Sequence, residues 1–163
     1  MEIRRCNLRE DAEFAAVHAL QRAAYEVEAG LIGTRSIPGL RETREQLAAS
    51  KEEFWICVDD TGACAGVVAV EPEAVAGEAG VRVSRLAVHP GSFRRGIGRL
   101  LVSHVLALAG DKPVKVTTGA ANAPGRGLYE RLGFSLVGGF TAPDGTPIVE
   151  YRWRLREPEA RQP

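Results

Sequence analysis

The sequence predicts an α/β fold in three layers: a central mixed sheet of about seven strands, mostly antiparallel, with helices on both faces. Three observations predict it. Segments with a two-residue hydrophobic period alternate along the chain with segments of helical period. Turn signals at Asp60-Thr61-Gly62 and Asp144-Gly145 join sequential strands as hairpins, which makes much of the sheet antiparallel. A strand ending at Val88 passes through a glycine-containing loop into an apolar helix beginning at Ile97. The 163 residues suffice for one domain with a substantial core. That domain is expected over residues 1–155, followed by a polar, flexible tail at 156–163.

Ile3 to Arg5 reads as a short first strand. Asn7 and Glu10 have the spacing of a capping box, with Asn7 as N-cap. Phe14, Val17, Ala24 and Val27 recur at helical spacing, giving a helix of about four turns. Gly30 to Gly39, with Gly33 and Pro38, reads as a loop, and a short helix follows from Arg41 to Ala49. Phe54–Val58 and Ala63–Val70 form the first hairpin. In Val81–Val88 the phase slips: Val81 and Val83 share one phase, Leu86 and Val88 the other. An inserted bulge near Ser84 or Arg85 produces such a slip, and so does burial on both faces. Ile97–Ala109 is an apolar helix ended by Gly110, Val114–Thr118 a strand, and Pro124–Leu132 a helix closed by Gly133. Ser135–Thr141 and Ile148–Leu155 make the last hairpin, in which Val149, Tyr151, Trp153 and Leu155 face the core and Glu150, Arg152 and Arg154 face water.

Composition excludes several functions. Lys plus Arg equals Asp plus Glu at 21 each, so no global field draws the chain to nucleic acid or an anionic membrane. No apolar run reaches the roughly 18 residues of a membrane span, and no apolar stretch follows the first charges as in a signal peptide. Cys6, Cys57 and Cys64 lack metal-ligand spacing and read as reduced thiols of a cytoplasmic protein. No metal is expected.

Against this neutral background the segment Phe93-Arg94-Arg95-Gly96-Ile97-Gly98-Arg99 stands out. A helix start presents unpaired N–H groups at the positive end of its dipole, which favours phosphate. Gly96 and Gly98 let backbone approach a ligand closely, and three arginines can each fork onto a phosphate. A dinucleotide fingerprint is ruled out because Leu101 stands where its third glycine is required. A Walker loop is ruled out because no Gly-Lys-Ser/Thr closes the segment.

A second segment, Asn122-Ala123-Pro124-Gly125-Arg126-Gly127-Leu128-Tyr129-Glu130-Arg131-Leu132-Gly133-Phe134, follows downstream. With Leu86-Ala87-Val88 and the Arg-Arg-Gly-Ile-Gly loop, in this order, it resembles the GNAT superfamily of N-acetyltransferases. Residues 81 to 134 carry the resemblance closely, the rest in outline. Phe93 departs from the family's Gln/Arg, Gly125 from its usual Ala, and Arg82 stands where many relatives have an acidic residue. The resemblance implies a bulge that splays one strand from a parallel neighbour and admits the pantetheine arm. It implies acetyl-CoA as cofactor (CoA as product), its pyrophosphate on Arg94, Arg95, Gly96, Ile97, Gly98 and Arg99, and its arm along the main chain of Leu86, Ala87 and Val88. One of those N–H groups would polarise the thioester carbonyl. Homodimers are common in the family.

Tyr129 has a packing reading, with its ring against the sheet. The resemblance instead makes it the acid that protonates the departing thiolate. Asn122 fits an N-cap ahead of Pro124, and the resemblance adds a contact to the cofactor. The general base is open. A lysine-like amine needs about 4.6 kcal/mol to lose its proton at pH 7, an α-amine only about 1 kcal/mol. Glu71 is the candidate, against the reading of a solvated strand-end carboxylate. His18, His89 and His104 form no triad and read as surface or packing groups. The expected activity is acetyl transfer to a primary amine of a small molecule or peptide by direct attack on the thioester. A catalytically inactive acyl-CoA sensor keeps the fold without the chemistry, and a nucleic-acid module lacks the basic-aromatic surface it needs. Residues 25 to 45, with Tyr25, Glu26, Glu28, Arg35 and Arg41, are expected to wall the acceptor site.

Overall fold

The computed structural model describes residues 1–33 and 42–154. The expected tail at 156–163, together with Leu155, lies outside the described residues, as does the loop reading over 34–39. The described elements run β1 (Glu2–Cys6), α1 (Asp11–Ile32), α2 (Arg44–Ala48), β2 (Glu53–Val58), β3 (Cys64–Val75) and β4 (Glu78–Val88), then α3 (Ile97–Ala109), β5 (Val114–Gly119), α4 (Ala123–Arg131), β6 (Ser135–Thr141) and β7 (Pro147–Trp153). The sheet has seven strands in the order β1-β2-β3-β4-β5-β7-β6, antiparallel except for the β4–β5 pair.

Two apolar clusters, one on each face, make the three layers. Val67 and Ala69 of β3 pack with Val17, Leu20 and Phe54 beneath α1. Val68 and Val70, their alternate neighbours, pack with Leu101, Val102 and Val105 of α3 and with Tyr129 of α4. Period-2 alternation thus feeds both cores, and β3 reads as a continuous apolar run because neither face is wet. Gly66 lets α3 lie against the sheet, since an added Cβ would stand 2.7 Å from Ile97 Cγ2 and 2.9 Å from Leu101 Cδ1.

The β4 phase slip is a bulge. Ala69 pairs with Arg85 and Val70 with Val83, leaving Ser84 as the extra residue. Through it Val81 and Val83 before the bulge, and Leu86 and Val88 after it, all turn to the α3 side, while Ala87 turns to α1.

Three expectations need correction. Asn7 does not cap α1: its side chain accepts from Arg9 N at 3.1 Å in a turn before the helix, and Glu10 is the N-cap with no side-chain cap bond. The carboxylate that reaches back belongs to Glu13, which accepts from Asn7 N and from Arg4. α1 itself has 22 residues, about six turns, because Gly30 is tolerated inside it and the chain stops only at Gly33 with φ 73°. Val27, on this helix, is exposed at the cleft described below. β3 and β4 also extend past their expected ends into a hairpin in which Val75 pairs with Glu78 across Ala76-Gly77.

Candidate active site

The parallel β4–β5 ladder is short. Val81 pairs with Val114, Arg82 with Lys115 and Val83 with Val116, and pairing stops there. The next residue on β4 is the Ser84 bulge, while Thr117, Thr118 and Gly119 of β5 continue to pair only with β7. Beyond the bulge β4 keeps its ladder to β3, with Leu86 on Val68 and Val88 on Gly66. Its other edge therefore faces a wedge in the sheet without a strand partner. The wedge widens into a cleft of about 2020 Å³ walled by β4, β5, the α3 start, α4, α1 and the β6–β7 turn.

At one end of the cleft lies the α3 start. The first ladder bond of the helix runs from Leu100 N to Gly96 O at 3.0 Å, so the N–H groups of Ile97, Gly98 and Arg99 precede any helical acceptor. Gly96 has φ 76° and Arg94 φ 66°, the latter one of two non-glycine residues among those described with positive φ. A strained non-glycine at such a loop is worth about 1–2 kcal/mol and marks a place where local geometry is held by its surroundings. Arg94, Gly96, Ile97, Gly98 and Arg99 line the cleft; Arg95 lies outside its wall, close enough for its charge to act on Asp59. Phe93 lines the wall too, though its N–H turns back to Pro90 O at 3.3 Å.

In the middle stand Leu86, Ala87, Val88, Asn122 and Tyr129. Asn122 is the N-cap of α4: its Oδ1 accepts from Gly125 N at 3.2 Å and its Nδ2 donates to Thr118 Oγ1 at 3.0 Å. Those bonds pin α4 to β5 at the wedge. Tyr129 is buried, its ring 5.5 Å from that of Phe134 and 6.0 Å from that of Tyr151. The packing reading and the cleft reading both hold, because the residue belongs to the core and lines the cavity. Burial pushes its phenol well above the usual range, and the negative charge of Glu28 adds to the effect. The group is a neutral hydrogen donor at physiological pH.

Polar side chains gather at the other end. Glu71 lines the cleft but accepts from Arg82 Nη1 at 2.8 Å, its direct cross-strand partner. Arg85, next to the bulge, went unmarked in the sequence and is the hub of this end. Its guanidinium reaches Glu52 at 2.9 Å, Glu42 at 2.6 Å and Gln21 at 3.1 Å. Burial works against the Glu52 carboxylate, yet hydrogen bonds from Arg85, Ser84 and Ser50 hold it below its usual range. Nothing local in the sequence ties Glu42 and Glu52 to Arg85; the signal exists only once α1, α2 and β4 are packed. Glu28, on the cleft face of α1 with Tyr25, is half-buried, and burial raises its carboxyl above the usual range.

His89 accepts from Gly91 N at 3.0 Å, His18 stacks on Phe14, and His104 meets Trp55 edge-on at 4.5 Å. Among the described residues no group of His, Cys, Asp and Glu is placed to hold a metal ion, and no helix is long and apolar enough to cross a membrane.

Residues 50–136 match the family model described as an acetyltransferase (GNAT) domain. Two curated proteins are each 35% identical to this chain: UPF0157 protein YqkA of Bacillus subtilis, over 71% of the chain, and a mycothiol acetyltransferase of Geodermatophilus obscurus, over 74%. The matched part is 33% of the first and 39% of the second, so the chain spans little more than a third of these relatives. Among solved structures, an aminoglycoside 6′-N-acetyltransferase complexed with coenzyme A superposes with a TM-score of 0.72 at 15% identity, covering 98% of this chain and 100% of that one. At that identity the superposition establishes the fold.

Proposed function

Since this chain belongs to the GNAT acetyltransferase family, we propose that it transfers the acetyl group of acetyl-CoA to a primary amine of a small molecule or peptide. The observation that carries the reading is the wedge: the parallel ladder ends at Val83–Val116, and the free edge of Leu86–Val88 opens beside Tyr129. That edge suits an extended, amide-bearing arm, which can add to it as a strand would. The unladdered N–H groups of residues 97–99, with Arg94 and Arg99, suit a pyrophosphate at the positive end of the 13-residue α3.

In this reading the thioester carbonyl lies against the β4 main chain, whose N–H groups stabilise the oxyanion as the amine attacks. The C–S bond breaks, and Tyr129 gives its proton to the thiolate. The phenol is then restored by a proton from the new amide nitrogen. Donation from a raised phenol to a thiolate is uphill on reference values of about 10 and 8.5, so it works only as the thiolate forms.

Calorimetry tests the reading. Acetyl-CoA and CoA are expected to bind the wild type at micromolar concentration and to lose binding in the Gly96→Glu, Arg94→Ala double variant. Absence of binding to the wild type would sink the reading. Tyr129→Phe then separates an enzyme from an acyl-CoA sensor: CoA affinity is expected to persist while thiol release falls by about 100-fold or more.

A further inference from the structure

We propose that Glu28 is the general base that takes the proton of the acceptor amine, an inference that rests on the acetyltransferase reading of the cleft. Glu28 lies on the face of α1 that carries Ala24, Tyr25, Val27 and Leu31 to the cleft, and Tyr129 lines the same cleft from α4. The two groups are close enough for the Glu28 charge to act on the Tyr129 phenol, so an amine attacking a thioester along β4 can meet both.

The other carboxylates at this end are engaged. Glu71 is tied to Arg82 across the strands, and Glu42 and Glu52 are tied to the Arg85 guanidinium. Each already faces an arginine that stays charged. Among the described residues Glu28 has no hydrogen bond or ion pair. A half-buried carboxylate without a partner is costly to keep, and an arriving ammonium group is the partner that would repay it.

The charges facing it favour the same assignment. Tyr25 on its own helix and Tyr129 on α4 are both neutral phenols, raised chiefly by burial. Arg82 and Arg85 on β4 are neutralised locally by Glu71, Glu42 and Glu52. Arg131 of α4 and Asp144 of the β6–β7 turn also line the cleft. Burial raises the Glu28 carboxyl above its usual range, which makes the carboxylate a stronger base than a solvated one.

The protons balance. An alkylammonium gives one proton to the Glu28 carboxylate and becomes a nucleophile. Its lone pair forms the C–N bond, the C–S bond breaks, and the thiolate takes the Tyr129 proton. The remaining nitrogen proton restores the phenol, and Glu28 returns its proton to water. The steps are coupled. While Glu28 is charged it makes Tyr129 a weaker acid. Once Glu28 holds the amine's proton that field is gone, and Tyr129 donates more readily.

The test compares wild type, Glu28→Gln and Glu28→Asp with two probes in thiol-release assays. The first is 1,4-diaminobutane, an ammonium at pH 7. The second is methoxyamine, a weakly basic amine already neutral there. Glu28→Gln is expected to lose about 100-fold in kcat/KM with the diamine, to shed the acidic limb of its pH profile, and to retain wild-type turnover of methoxyamine. Glu28→Asp is expected to recover part of the diamine rate, and acetyl-CoA affinity by calorimetry is expected to stay unchanged in both variants. Equal losses with the two amines, or no loss with either, would overturn the assignment. Failure of acetyl-CoA to bind the wild type is a separate result, against the acetyltransferase reading itself.

Discussion

Glu28 links function to stability at the scale of one residue. Its folded carboxyl sits above the ordinary value of 4.5, so above that pH the folded state resists an ionisation that the unfolded chain accepts. Stability is therefore lost as pH rises through the folded value. Glu28→Gln is expected to melt higher than wild type at pH 7, with the difference vanishing toward pH 4; melting curves at both pH values check this. Gly96 carries a different constraint. Its φ of 76° is paired with open space around the missing Cβ, so Gly96→Ala costs conformation rather than contacts. A loss of about 1 kcal/mol in denaturant unfolding is expected, together with weaker acetyl-CoA binding as the loop shifts. These two residues differed in legibility. Gly96 was marked by its motif, whereas Glu28 was only one of five residues expected to wall the acceptor site, with nothing to single it out. Its isolation depends on which carboxylates Arg82 and Arg85 engage.

At the scale of elements, the bulge at Ser84 does two jobs. It keeps Val83 and Leu86 on the same core despite their spacing, and it ends the parallel ladder so that β4 and β5 part. The phase slip in the sequence was enough to suggest it, because a one-residue insertion leaves a trace in any strand with alternating burial. The β3–β4 hairpin left no such trace. Its two-residue turn, Ala76-Gly77, has φ of 52° and 82°, and alanine is not a signal for that conformation. Ala76→Gly is expected to stabilise the protein, by about 1 kcal/mol at most, because relief of the strain exceeds the added entropy of the unfolded chain. Chemical denaturation measures it. The misplaced cap of α1 has a similar origin. Asn7 and Glu10 have capping-box spacing, but Asn7 forms its own turn and the helix begins at Asp11 with Glu10 as its N-cap. By contrast α3 is bounded as expected from Ile97 to Ala109, since glycines at both ends leave no alternative start or stop.

Across the whole molecule, charge is organised although its total is zero. The α3 end of the cleft is lined by Arg94 and Arg99, while the α1 end holds Glu28, Glu42, Glu52 and Glu71 around Arg82 and Arg85. The Arg85 hub joins α1 through Gln21, the segment before α2 through Glu42, and the segment before β2 through Glu52. Arg85→Met removes the cation and leaves two carboxylates beside the core. A loss of about 3 kcal/mol is expected, read by urea unfolding at pH 7. The pH sign at this site is opposite to that of Glu28. Glu52 is held below 4.5, so its contribution is present at neutral pH and fades as the pH falls through its folded value.

The sequence by itself determined the α/β class, the approximate number of strands, the arginine-bracketed loop and the Asn122–Tyr129 helix, while the phase slip in β4 left a bulge and two-sided burial both open. These are written in local period, glycine placement and motif order, each of which acts over a few residues. Only the tertiary structure decided the ion pairing at the α1 end of the cleft. Whether Glu71 or Glu28 has a cationic partner depends on which carboxylates Arg82 and Arg85 hold. Arg85 and Glu42 stand 43 residues apart in the chain. Short-range pattern encodes which strand or helix forms, but electrostatic pairing at a cleft is settled by neighbours that only packing brings together.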